Sequence, residues 1–201
     1  MQNVFRLNKP DTVDLDTFHK EMDTNFTSVV NLSIKFLPHL LKQDYPTSMI
    51  LTGTHLSVLP GVTMPAYSSS KAAARAYFDC LRRQNQGSNV TFMEISAPPV
   101  QSKSFLSRTN VTEKEKGVEE SANYNVSAEL HDYMGAELGR SLGMPVEEFT
   151  EQAYAQLAKN EEHILVGLPG AATAGEYEQL LGARKSIFER LSNVLMARFN
   201  I

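Results

Sequence analysis

The chain has 201 residues, 42% hydrophobic and 21% charged, with 19 basic against 23 acidic side chains. This composition is that of an ordinary globular chain and excludes disordered, collagenous and low-complexity classes. A net charge of −4 gives no general attraction to phosphate backbones, and no apolar run reaches the ~18–20 residues of a membrane span, so neither nucleic acid nor a membrane is expected as a partner.

One domain is expected over residues 1–201, because two small domains would each bury too little surface. The opening Met1-Gln-Asn-Val-Phe-Arg6 lacks the charged, apolar and small order of a secretory signal. Cys80 is the single cysteine, which excludes internal disulfides. Both features fit a reducing, cytoplasmic setting.

Asp14 to Gln43 predicts one long helical region, since Phe18, Met22, Phe26, Val29, Val30, Phe36, Leu37, Leu40 and Leu41 recur at spacings of three and four. Ser48-Met-Ile-Leu-Thr-Gly-Thr54 is a short apolar run between turn signals and predicts a buried strand. After a loop with Pro60, Gly61 and Pro65, the Ala-, Arg- and Leu-rich stretch from Ala66 to Gln86 predicts a helix that Gly87 ends. Asn89 to Ser96 predicts a second strand, which Ala97-Pro-Pro-Val100 cannot continue because proline donates no ladder hydrogen bond. Residues 102–144 are polar and predict a variable excursion, and Pro145 with Glu147 and Glu148 marks the start of another helix. His163 to Gly167 predicts a third strand, and Glu176 to Phe199 a helix with Leu180, Leu181, Ile187, Leu191, Val194, Leu195 and Phe199 on one face. Strands separated by helices imply parallel pairing with right-handed crossovers, hence an α/β layered sheet.

Tyr67-Ser-Ser-Ser-Lys71 puts a phenol and an ammonium one helical turn apart on one face. A phenol near its ordinary value of ~10 is a poor acid–base group at neutral pH, and a neighbouring cation favours its ionised form. Lowering it by ~3 units takes roughly 4 kcal/mol, which needs Lys71 together with a second positive group. Seven tyrosines and ten lysines in 201 residues give about 0.35 such pairs by chance, so the spacing decides nothing by itself.

The surroundings decide more. Thr54, at the end of a predicted strand, stands thirteen residues before Tyr67, and Ser69-Ser-Lys-Ala-Ala73 follows the tyrosine. Upstream lie Asp23-Thr-Asn-Phe26 and Phe36-Leu-Pro-His-Leu-Leu41; downstream lies Ala97-Pro-Pro-Val-Gln-Ser102. In this order and spacing, the chain resembles the short-chain dehydrogenase/reductase family over most of its length. The resemblance implies a Rossmann-like doubly wound parallel sheet of which three strands are recognisable. It also implies a catalytic set of Asn25, Thr54, Tyr67 and Lys71. Tyr67 would exchange the proton at the substrate oxygen, and Lys71 would lower the phenol's pKa and hold the nicotinamide ribose. Thr54 would orient the carbonyl, and Asn25 would hold a water in the proton relay. Tyr67, Lys71, Pro98, Val100 and Ser102 would contact the cofactor, NAD or NADP, whose oxidised ring would be the second positive group.

Three departures accompany the match. Thr54 replaces the family's usual serine, and Ala97 and Pro98 stand where it has proline and glycine. His55 is expected to face solvent from its loop, and Cys80 to pack rather than react. No His, Cys, Asp or Glu spacing suggests a metal site. Finally, the eleven glycines include neither Gly-x-x-x-Gly-x-Gly nor Gly-x-Gly-x-x-Gly, the turn that meets a pyrophosphate. By resemblance Met1 falls just after that signature, so an N-terminal part of about 80–100 residues is expected to be lacking. A three-strand remnant leaves a sheet edge uncovered, which predicts a homo-oligomer or a partner chain.

These readings predict an NAD(P)-dependent oxidoreductase that interconverts an alcohol and a carbonyl on a small-molecule substrate, with residues 102–144 as a substrate loop. The alternative is a non-catalytic binding or assembly protein of the same fold, favoured by the absent glycine-rich turn.

Overall fold

The computed structural model describes residues 15–62, 64–101, 143–168 and 173–199. Two compact units divide the chain, Met1–Gly167 and Leu168–Ile201. Ser102 and the body of the expected 102–144 excursion lie outside the described residues.

The first unit begins with α1 (Leu15–Met22), a π-helical turn (Asp23–Thr27) and α2 (Ser28–Leu41), which run on as one helical stretch. The expected long helix is there, with a widened turn in its middle. The Asn89 side-chain amide then donates to the carbonyls of Leu40 at 3.0 Å, Gln43 at 3.0 Å and Tyr45 at 3.3 Å. These bonds satisfy carbonyls that a helix end leaves without partners. They also fix where β1 (Thr47–Thr54) starts beside β2 (Val90–Ala97), since the Thr47 amide donates to the Asn89 carbonyl at 2.9 Å.

β1 and β2 pair in parallel from Thr47↔Val90 to Thr54↔Ala97. Between them runs α3 (Pro65–Gln84), with proline in its first turn, and the chain reverses through Gly87 at φ +85°, a conformation that suits glycine. Beyond Pro98 and Pro99, two short strands, β3 (Val100–Gln101) and β4 (Met144–Pro145), form a separate two-residue parallel pair. Pairs of two residues leave no periodicity to read, so nothing in the local pattern announces them. α4 (Val146–Leu157) then leads to β5 (His163–Leu165), which pairs in parallel with β2 at Glu94↔His163.

The sheet order is β1-β2-β5, so among the described strands β1 has a neighbour on one side only. Helices cover both faces. Phe78 and Leu81 of α3 pack with Leu51, Val90 and Phe92, joined by Val29, Leu37 and Leu40 of α2. On the opposite face Ala153, Phe149 and Leu157 of α4 pack with Met93, Ile164 and Val166. Parallel strands crossed over by helices on alternate faces make the doubly wound arrangement expected from the sequence.

The second unit is α5 (Ala174–Phe199). It starts two residues before Glu176 because Thr173 and Glu176 form a capping box: the Thr173 amide donates to Glu176 Oε2 at 2.9 Å, and the Glu176 amide to Thr173 Oγ1 at 3.3 Å. Its apolar stripe is largely exposed, with Ile187, Leu191, Val194 and Phe199 all more than half accessible. Among the described residues no helix is long and apolar enough to cross a membrane.

Candidate active site

The site forms where β1 ends against α3 and the π-helical turn. Thr54 closes β1, is buried, and caps the 3-10 turn His55–Ser57 by accepting from the Leu56 amide at 3.4 Å. On α3 the inward face repeats every three or four residues: Tyr67, Ser70, Lys71, Ala74, Arg75 and Phe78 are all buried. Tyr67 is hydrogen-bonded to the Thr54 side chain. The Lys71 ammonium lies 5.9 Å from the centre of the Tyr67 ring and donates to the Thr52 carbonyl at 3.1 Å.

Asn25 sits in the π-helical turn, 3% exposed, and donates to Ser70 Oγ at 3.2 Å. Ser70 in turn donates to the Tyr67 carbonyl at 2.8 Å. A widened turn pushes its residues off the regular helical ladder and is often found at functional sites. The structure thus brings Asn25, Thr54, Tyr67 and Lys71 to one place. Pro98 and Val100 lie just beyond the end of β2, where Val100 pairs with Met144 and Pro98 packs beside Gly167. A Cβ at Gly167 would stand 3.1 Å from Pro98 and the residue has φ +65°, so the loop closes only over glycine. A groove of about 530 Å³ lined by Val29, Leu32, Phe36 and Ile50 reaches Asn25 and Lys71 at its polar side.

Burial pushes the Tyr67 phenol up to about 12; the Thr54 hydrogen bond pulls it back and Glu21 pushes it further up. Burial also lowers the Lys71 ammonium to about 8, opposed by the charge of Glu94. The resting pair is therefore a neutral phenol beside an ammonium.

Two sequence expectations are corrected. His55 does not face solvent: it is 3% exposed, its Nε2 lies 3.0 Å from the Val166 carbonyl, and burial lowers its pKa. Cys80 is exposed on α3 rather than packed. Among the described residues four buried charged ones were missed: Glu21, Arg75, Asp79 and Glu94. A glutamate inside the apolar run Val90-Thr-Phe-Met-Glu-Ile95 was the available signal, as was Arg75 one turn beyond Lys71.

A family profile described as short chain dehydrogenase matches residues 6–114, which is 109 of the 201. The relative named "Uncharacterized oxidoreductase DltE", from Bacillus subtilis (strain 168), is 34% identical over 92 residues, 46% of this chain and 36% of its own length. A short chain dehydrogenase from Burkholderia cenocepacia J2315, solved in complex with NADP, matches 98% of this chain and 66% of its own. Its TM-score is 0.60 at 19% identity. A short-chain dehydrogenase from Sphingobium yanoikuyae in complex with NADPH covers 94% of this chain and 62% of its own, with a TM-score of 0.64 at 13% identity. The chain spans little more than a third of the first relative and under two thirds of either solved structure. The solved structures share its Rossmann-like fold, and with more than half of its residues matched by the family profile the chain belongs to the short chain dehydrogenase family.

Proposed function

We propose that the protein is an NAD(P)-dependent oxidoreductase that interconverts a carbonyl and an alcohol on a small molecule. The observation that carries this reading is the buried Tyr67–Lys71 pair, with Thr54 on the phenol and Asn25 tied to the same turn of α3. The residues present fit a nicotinamide nucleoside. The Lys71 ammonium has three donors, and the Thr52 carbonyl takes one, leaving the others for ribose hydroxyls. Pro98 and Val100, beyond the end of β2, would flank the ring. When bound, the cofactor supplies or accepts the hydride.

The protein's own part is to move a proton at the substrate oxygen. With its pKa near 12, Tyr67 is fully protonated at neutral pH and ready to donate to an oxygen that gains charge as its carbon is reduced. Thr54, hydrogen-bonded to the phenol, places a second donor beside that oxygen. The phenolate left behind would be stabilised by the Lys71 ammonium, and Asn25, tied to Ser70, would hold a water that returns the proton. Alcohol oxidation asks for the reverse, a phenolate at the start. There the Lys71 ammonium and the oxidised nicotinamide ring would together have to offset the burial that raises the phenol.

Cofactor binding tests this reading without a known substrate. NADPH or NADH at about 100 times its dissociation constant should add ~2.7 kcal/mol to the unfolding free energy of the chain. A midpoint of urea unfolding that neither nucleotide moves at millimolar concentration would overturn the proposal.

A further inference from the structure

Glutamate is rarely fully buried, yet Glu94 in the middle of β2 is 1% exposed. Its Oε1 lies 3.4 Å from Arg75 Nη1 and its Oε2 3.7 Å from His163 Nδ1, both longer than a close charge-assisted hydrogen bond. The carboxylate rests directly on Gly53: a Cβ there would come within 2.6 Å of Oε1. Gly53 stands between Thr52, whose carbonyl takes the Lys71 ammonium, and Thr54, whose side chain bonds Tyr67. Arg75 follows Lys71 by one turn on the same buried face of α3. One carboxylate therefore sits behind both β1 anchors of the site and against Arg75 of α3, and its charge is felt by Lys71.

We propose that Glu94 is a positioning residue, whose buried charge offsets the paired cations of α3 and fixes the Lys71 ammonium beside Tyr67. This rests on reading Tyr67 and Lys71 as the working pair. The physical case is a balance. Two cations, Lys71 and Arg75, are both 5% exposed or less, and burying them together without an anion is costly. Desolvation drives Lys71 toward the neutral amine, and Glu94 opposes it. A neutral amine could not stabilise the phenolate that Tyr67 becomes. The other charged or titratable groups around this cluster are His163 from β5, against Glu94, and His55 after β1, which feels Arg75. Glu21 of α1 acts on Tyr67. Gly53 completes the device, because any side chain there would expel the carboxylate.

The test follows the ¹³Cε signals of the lysines by NMR across pH in the whole chain, with the Lys71 signal assigned by its loss in Lys71→Met. In the wild type Lys71 should titrate near 8. Glu94→Gln keeps the shape and removes the charge; the midpoint should fall by about one pH unit, about tenfold more neutral amine at a given pH. Glu94→Asp keeps the charge but draws it back, and a smaller fall is expected. Should the Gln variant not fold, the Asp variant decides alone. A Lys71 midpoint unchanged in every variant that folds overturns the proposal, since a purely packing role for Glu94 would alter stability and leave that midpoint in place. The titration needs neither cofactor nor turnover. A shifted midpoint in a protein that proves inactive would thus refute the proposed function while the electrostatic role of Glu94 stood.

Discussion

Tyr67→Phe is expected to lower turnover by ~10²–10⁴-fold, the usual contribution of a general acid, while the protein stays folded. The substitution deletes one oxygen from a side chain that is 7% exposed and leaves its ring packing untouched. Thr54 loses its phenol partner but keeps the Leu56 amide, so the stability cost should be about one hydrogen bond, ~1 kcal/mol. Steady-state rates of carbonyl reduction, with urea unfolding as the control for folding, separate the two effects. Turnover within a factor of a few of the wild type would remove Tyr67 from the mechanism.

The second large effect is on stability and its dependence on pH. Lys71 titrates near 8 in the folded chain against 10.5 ordinarily, so between these values the unfolded chain holds a proton the folded one has lost. Stability contributed by this group must then rise with pH across that window. Tyr67 acts oppositely and later: its phenol stays protonated to about 12 while an unfolded tyrosine ionises from 10, so above 10 its contribution falls as pH rises. Between about pH 7 and pH 10 the wild type should gain ~2.5 kcal/mol relative to Lys71→Met. Parallel urea-unfolding series on both proteins measure it. A difference that stays flat across this range would show that Lys71 is not desolvated as described.

Much of this architecture could be read from the chain itself. The apolar runs at 48–54, 89–96 and 163–167, each bounded by turn residues, became the three parallel strands, although β1, expected to be buried, leaves Ser48, Ile50 and Thr52 exposed. The set of Asn25, Thr54, Tyr67 and Lys71 was implied by the resemblance to the short-chain dehydrogenase family, while helical spacing alone put only Tyr67 and Lys71 on one face. Other features depend on contacts far apart in sequence. His55 is buried by the Val166 carbonyl, 111 residues away, which no local pattern announces. The π-helical turn at Asn25 carries no glycine or proline to mark it. The upward shift of Tyr67 in the chain by itself comes from burial, which depends on packing that spacing does not report. The Thr173-x-x-Glu176 capping box was legible and overlooked.

In the proposed function Tyr67 and Lys71 serve hydride exchange between a nicotinamide and a small carbonyl compound. The most direct test supplies the purified chain with NADH or NADPH carrying deuterium at the transferable position, together with small aldehydes and ketones. Mass spectrometry of the alcohols then shows where the label goes. Deuterium is expected on the carbinol carbon with the wild type and at most a trace with Tyr67→Phe. No transfer from either nucleotide to any carbonyl offered, or equal transfer by Tyr67→Phe, would contradict the proposed function.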